Sequence, residues 1–249
     1  MKKKFQGWRK KVAVGLLAAA LCGSLSAQTA MATMHYDRRQ TVAQEQFESS
    51  ADTYSASASA ASKKAWQKIN GKCYNGSGKV IPGAITRGID VSEWQETINW
   101  AKVKKSDVDF AFVRIAHGIK YQDKNFDYNM KQAELAGVPV GTYVYSTATN
   151  TAGALKEAQL AIKKMKGYKV SYPVAYDLED EKLEKLSPRT ISRMALAFCN
   201  EIRQAGYYPI IYCNTYWYDY HIDWSILSGL DVWIARYGDT IQAPDSSKY

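Results

Sequence analysis

The sequence predicts an α/β fold in which a parallel sheet is covered by helices. Three observations carry that expectation. From Arg87 onward, short apolar segments of strand length alternate with longer segments of helical periodicity. The strand segments are apolar enough to be buried on both faces, as parallel strands are. Glycine and proline punctuate the segment ends, where helices start and stop.

The chain begins with a different kind of segment. Lys2, Lys3, Lys4, Arg9, Lys10 and Lys11 form a basic stretch, an apolar run follows from Val12 to Ala27, and Ala30-Met31-Ala32 offers small residues for cleavage. That order marks residues 1–32 as a secretory signal peptide. Its 16-residue apolar run is shorter than the 18 or more expected of a spanning helix. A cleaved leader with no stable membrane insertion afterwards is therefore expected, rather than a retained anchor. Leu21 before Cys22 is a poor context for lipid attachment.

Residues 33–65 are polar and rich in Ala, Ser and Gln, with Ser-Ala-Ser-Ala-Ser-Ala-Ala-Ser at 55–62. They lack apolar periodicity and read as a spacer. Residues 66–86 carry Asn-Gly dipeptides between apolar residues, a hairpin signal, and read as a lead-in packed on the main domain. A single unit of an aromatic wall-binding repeat is the alternative, but such units need neighbours to bury their faces.

In the main domain, 87–249, the expected strands are Gly88–Val91, Phe110–Ala116, Val140–Ser146, Val174–Leu178, Tyr208–Cys213 and Val232–Arg236. The expected helices include Asn125–Ala136, Ala152–Lys166 and Pro188–Ala205. Gly137 ends the first of these, and Ser187-Pro188 opens the last with a cap followed by proline at its first turn. Six strands in this pattern suit either a barrel or a doubly wound sheet, and no GxGxxG follows the first strand to favour a dinucleotide site.

Charge and cysteine content narrow the function classes. The leader holds six Lys and Arg and no acid, so it accounts for six of the chain's net +9 and leaves +3. That balance does not support a nucleic-acid partner, and mildly favours contact with an anionic cell wall. Beyond the leader there are three cysteines, Cys73, Cys199 and Cys213, with no metal-like spacing. Buried thiols are expected, with a Cys199–Cys213 bridge as the alternative.

The chemistry is sought at strand ends, where parallel α/β folds place it. The fourth strand ends in Tyr176-Asp177-Leu178-Glu179 and the first in Asp90-Val91-Ser92. Residues two apart on a strand share a face, so Asp177 and Glu179 enter one space, joined by Asp90 from what is read as an adjoining strand. Crowded carboxylates raise one another's pKa and leave a protonated acid near neutrality. Glycoside cleavage needs such an acid for the leaving oxygen, with other carboxylates to support positive charge on the sugar. Against this stands a solvated acidic turn, Asp-Leu-Glu-Asp-Glu at 177–181. A divalent-ion site on the same acids is a further alternative. His35, His117 and His221 show no ligand spacing, so no metal or other cofactor is expected.

Several ordered motifs resemble the family 25 glycoside hydrolases, lysozymes of the N-acetylmuramidase type. They are Arg87-Gly-Ile-Asp-Val-Ser-Glu-Trp-Gln95, Asp109-Phe-Ala-Phe-Val-Arg114, Ala136-Gly-Val-Pro-Val-Gly-Thr-Tyr-Val-Tyr145, Pro173-Val-Ala-Tyr-Asp-Leu-Glu179, Ile211-Tyr-Cys-Asn214 and Asp231-Val-Trp-Ile-Ala-Arg-Tyr237. The resemblance implies an irregular (β/α)5β3 barrel and cleavage of the β-1,4 bond between N-acetylmuramic acid and N-acetylglucosamine in peptidoglycan. It implies Glu179 as general acid, with Asp177 and Asp90 supporting the transition state. Tyr143, Tyr145, Tyr212 and Trp233 are candidate sugar contacts, with barrel packing an equal alternative for all but Tyr145. Arg114 is expected to pair with a carboxylate inside the fold rather than to touch substrate.

The family pattern has eight strands where six are counted in this chain, so an incomplete barrel is expected. The reading is a secreted, wall-associated monomer acting on glycan strands. Its rival from another class is a non-catalytic wall-binding protein that keeps the groove without turnover.

Overall fold

The computed structural model describes residues 67–75 and 77–235. The leader, the polar tract, Arg236 of the last expected strand and Tyr237 of its motif lie outside these residues.

The lead-in is a small hairpin. Strand β1 (Lys68–Ile69) pairs antiparallel with β2 (Lys72–Cys73). Between them Asn70 and Gly71 both adopt positive φ, 49° and 75°, as a two-residue hairpin turn requires. The hairpin docks on the main domain through Lys68, whose Nζ lies 2.6 and 2.7 Å from the two carboxylate oxygens of Asp109. Asp109 also accepts from the Arg87 amide at 2.8 Å. The hairpin thus sits where β3 and β4 begin.

The main domain runs β3 (Gly88–Val91), α1 (Trp100–Lys105), β4 (Phe110–His117), β5 (Tyr121–Gln122), α2 (Phe126–Leu135), β6 (Val140–Tyr145), α3 (Thr151–Met165), β7 (Val170–Asp177), α4 (Pro188–Gln204), β8 (Pro209–Asn214), α5 (Thr215–Tyr220) and β9 (Asp231–Ala235). Strands β3, β4, β6, β7, β8 and β9 form one parallel sheet in that order, and β5 adds antiparallel to the end of β4. All six expected parallel strands are present. The fourth starts earlier than expected, at Val170. The short helices α1 and α5 and the strand β5 were not expected.

Alternation along each strand sorts the side chains onto two faces. Ala111, Val113 and Ile115 of β4, and Val174, Tyr176 and Leu178 at β7, join the helix-covered core. Phe110, Phe112, Ala175, Ile210, Tyr212 and Trp233 form a second cluster on the other face. That face is concave. Strands β4 and β9 are four places apart, about 19 Å in a flat sheet, yet the rings of Phe112 and Trp233 stack at 4.6 Å. The sheet is therefore curled into a half-barrel whose interior is filled with aromatic rings.

Two glycines make that filling possible. A β-carbon on Gly88 would stand 2.3 Å from the Phe110 ring, and one on Gly141 would stand 2.4 Å from the Pro173 carbonyl oxygen and 2.6 Å from the Phe112 ring.

The longest helix, α4, shows why the outer layer forms. Ile191, Met194, Phe198 and Ile202 recur at steps of three and four and are fully buried. Ser187 caps its start by accepting from the Thr190 amide at 3.2 Å, with Pro188 in the first turn. Phe198 stacks flat on Tyr176 of β7, ring centroids 4.0 Å apart. Burying such a ring contributes about 2–3 kcal/mol.

Cys73, Cys199 and Cys213 are free thiols, all buried, so the Cys199–Cys213 bridge does not form. Apolar surroundings suit the neutral thiol. Burial pushes the pKa of Cys199 up to about 12 and raises that of Cys213 as well.

Candidate active site

The carboxyl ends of the parallel strands carry their inward side chains to one end of the half-barrel. Strand register sets them in a row: His117 pairs with Tyr145, Tyr145 with Asp177, Asp177 with Tyr212, and Tyr212 with Trp233. His117 reaches this face because β4 is bulged between Arg114 and Ala116. Arg114 and Tyr143 are paired on the same face nearer the strand starts.

Asp177 is the last residue of β7, and Glu179 lies two residues beyond. The Leu178 amide still donates to the Tyr212 carbonyl at 3.0 Å, and its side chain joins the helix-side core. Extended geometry thus continues past the strand end and turns Asp177 and Glu179 to the same side. Asp90 arrives differently from the expectation. Its strand adjoins β4 and stands three places from β7, so the pair are not neighbours in the sheet. Curling across the interior brings the three acids into electrostatic range.

Their ionisation follows from that position. Burial, then the charges of Glu179 and Asp90, raise Asp177 well above the usual carboxylate range, while Arg114 pulls it back. Burial, then the charge of Asp90, pushes Glu179 up to about 7. Burial likewise moves Asp90 up to about 6. Like charges gathered out of water favour keeping protons, so the site holds an acid that is partly protonated at neutrality. The acidic stretch is not a solvated turn. Asp177 and Asp180 are buried, Glu179 is half-buried, and only Glu181 is exposed.

Asp180 is a residue the sequence reading passed over. Its Oδ1 accepts from the Lys182 amide at 2.9 Å, and its Oδ2 lies 3.9 Å from His117 Nε2. Burial opposes its charge, but the nearby His117 ring and the hydrogen bond from the Lys182 amide hold its pKa below the usual value. The Asx-type bond two residues ahead was the available sequence signal.

The aromatic candidates lie on the same face of the sheet. Tyr145, Tyr212 and Trp233 are buried and Tyr143 is half-buried. Tyr145 meets the His117 ring at 4.4 Å, and Tyr212 meets Trp233 at 4.6 Å. Trp233 Nε1 and Asp177 Oδ1 are buried with no hydrogen-bond partner among the described residues. Buried polar atoms are ordinarily paired, so both stand out as unsatisfied on this face.

Arg114 is engaged inside the fold, as expected. Its Nε donates to Asp123 at 2.8 Å and an outer nitrogen to Glu93 at 3.0 Å. Asp123 also accepts from the amides of Glu93 and Asn125, both at 3.0 Å, and Tyr121 donates to Glu93. This network fixes the turn that follows Asp90.

The sequence profile of the glycosyl hydrolases family 25 matches residues 89–248, from the strand of Asp90 through that of Trp233 and beyond. The chain belongs to glycosyl hydrolase family 25.

Relatives of this family member are consistent with that placement. The chain is 37% identical to "Lysozyme M1" of Streptomyces globisporus over 67 residues, 27% of this chain and 23% of that one. It is 25% identical to the "Autolytic lysozyme" of Clostridium acetobutylicum over 152 residues, 61% of this chain and 45% of that one. Among solved structures, the modular autolysin LytC of Streptococcus pneumoniae, in complex with a synthetic peptidoglycan ligand, superposes with a TM-score of 0.64 at 26% identity. That match covers 73% of this chain and 45% of LytC. Each match spans less than half the length of the relative concerned.

Proposed function

We propose that this glycosyl hydrolase is a secreted muramidase that hydrolyses the β-1,4 bond between N-acetylmuramic acid and N-acetylglucosamine in bacterial peptidoglycan. The observation that carries this reading is the state of Glu179, half-buried at the strand ends and raised to about 7 beside two further carboxyl groups. Its proton passes to the glycosidic oxygen as the bond to the anomeric carbon breaks. Asp90 and Asp177, which share the negative charge left in the site, stabilise the positive charge that develops on the sugar ring. Asp177 Oδ1 and Trp233 Nε1 offer an acceptor and a donor to substrate polar groups, and Tyr143, Tyr145 and Tyr212 supply ring surface for the sugars.

In this reading residues 1–32 are removed on export, 33–65 serve as a spacer, and 66–86 brace the catalytic domain, which acts as a monomer at the cell wall. The further strands of a (β/α)5β3 barrel would follow β9.

The test is release of new reducing ends from purified cell walls. The wild-type chain is expected to release them, and Glu179→Gln, which cannot donate the proton, to lose at least about a hundredfold in rate. Wall binding by the wild type with no release would overturn the enzymatic reading in favour of a non-catalytic wall-binding protein.

A further inference from the structure

On the outer face of the sheet, behind the groove, lies a carboxyl group that the proposed chemistry does not use. Glu157 belongs to α3, whose buried stripe is otherwise Ala154, Ala158, Ala161 and Met165. It is 1% exposed. Among the described residues it makes no salt bridge to Lys, Arg or His. A carboxyl group among alanines is unfavourable unless its oxygens are fully engaged.

They are engaged, by the two strand ends that form the groove. Glu157 Oε1 accepts from the Thr147 amide at 2.9 Å. Its Oε2 accepts from the Ser146 hydroxyl at 2.9 Å and the Tyr176 hydroxyl at 2.6 Å, and these hydroxyls lie 2.8 Å from each other. The Ser146 amide in turn donates to the Asp177 carbonyl at 3.0 Å. Tyr145 and Asp177 are register partners on the groove face. Their chain neighbours Ser146 and Tyr176 therefore turn to the opposite face, and one carboxylate oxygen ties both together there.

We propose that Glu157 is a positioning residue for the reaction: through Ser146, Thr147 and Tyr176 it fixes the ends of β6 and β7, and so the placement of Tyr145 and Asp177 relative to Glu179. It touches no substrate. This inference rests on the muramidase reading for its kinetic consequence, but its geometric consequence is independent of turnover. An alanine at 157 would fill α3 equally well as a helix residue and would leave the Ser146 and Tyr176 hydroxyls, and the amide of Thr147, without their shared acceptor.

The experiment compares wild type, Glu157→Ala, Glu157→Gln and Tyr176→Phe, each confirmed as folded by circular dichroism. Two readouts are taken: kcat and KM on purified cell walls, and the titration midpoint of Glu179 by carboxyl-carbon NMR. In Glu157→Ala, kcat is expected to fall on the order of ten- to a hundredfold with KM changed by less than about twofold. The Glu179 midpoint is expected to move from about 7 toward the ordinary carboxylate range as the strand ends loosen and water enters. Tyr176→Phe, which removes one hydroxyl, is expected to shift both readouts in the same direction by less. Glu157→Gln, which keeps an acceptor and contact with both hydroxyls, is expected to recover most of the loss. Folded Glu157→Ala and Tyr176→Phe with wild-type kcat and wild-type midpoint would overturn the proposal and leave Glu157 a structural group only. Should Glu157→Ala fail to fold, Tyr176→Phe decides. A wild type that releases no reducing ends sinks the muramidase reading, and the Glu179 midpoint still decides the role of Glu157.

Discussion

Asp90 lies on β3 and Glu179 two residues beyond the end of β7, three places away in the sheet, yet after burial the charge of Asp90 is what holds the proton of Glu179 up to about pH 7. Neither residue is close to the other in sequence or in the sheet ladder. The aromatic interior, by excluding water, lets one charge act across it.

Removing that charge gives a signed prediction. In Asp90→Asn the Glu179 proton is lost more easily, so the alkaline limb of the rate profile moves to lower pH. At pH 7 the rate falls further than at pH 5. A pH–rate series on cell walls checks this, and an alkaline limb that stays in place would count against the coupling.

Stability should also depend on pH in a defined direction. Asp90, Asp177 and Glu179 are all raised in the folded chain, so the folded state keeps protons that the unfolded chain sheds above its ordinary carboxylate values near 4. By linkage, stability is fully present below that value and is lost as pH rises through the folded values, about 6 for Asp90 and about 7 for Glu179. Thermal midpoints should therefore fall between pH 5 and pH 8. Asp177→Asn should raise the midpoint at pH 8 by about 2–4 °C while removing activity, and should have little effect at pH 4.

Arg114 offers a contrasting case. Its guanidinium pairs with buried Asp123 and with half-buried Glu93, which Lys124 also faces at 3.7 Å. Arg114→Ala strands Asp123 as an uncompensated buried charge and should cost about 3–5 kcal/mol in denaturant unfolding. Arg114→Ala combined with Asp123→Asn should cost clearly less than the two single losses together.

A packing test concerns Gly141. In Gly141→Ala the added methyl meets the Pro173 carbonyl at 2.4 Å and the Phe112 ring at 2.6 Å. Strands β6 and β7 must separate locally, with a loss of about 1–3 kcal/mol measurable by urea titration.

The strands and long helices were legible because their periodicity is local: Phe110 to His117 reads as a strand on its own residues, and Ser187-Pro188 announces α4. Helices α1 and α5, six residues each, are too short for periodicity to distinguish. The inward turn of Asp177 and Glu179 followed from two-residue alternation. The place of Asp90 did not, because strand order is decided by long-range packing. Glu157 was invisible for the same reason. In the sequence it is an ordinary polar residue in an alanine-rich helix, and only the fold supplies Ser146 and Tyr176. The Cys199–Cys213 alternative arose because sequence spacing carries no information on which layer of the core each thiol enters.

The hairpin clasped by Lys68 and Asp109 occupies the end of the half-barrel where the parallel strands start, opposite the three acids. The described chain therefore enters the domain, at residue 67, on the side away from Asp90, Asp177 and Glu179. Under the proposed function, changes at Lys68 or Asp109 would act on the support beneath β3 and β4 and not on the acids themselves.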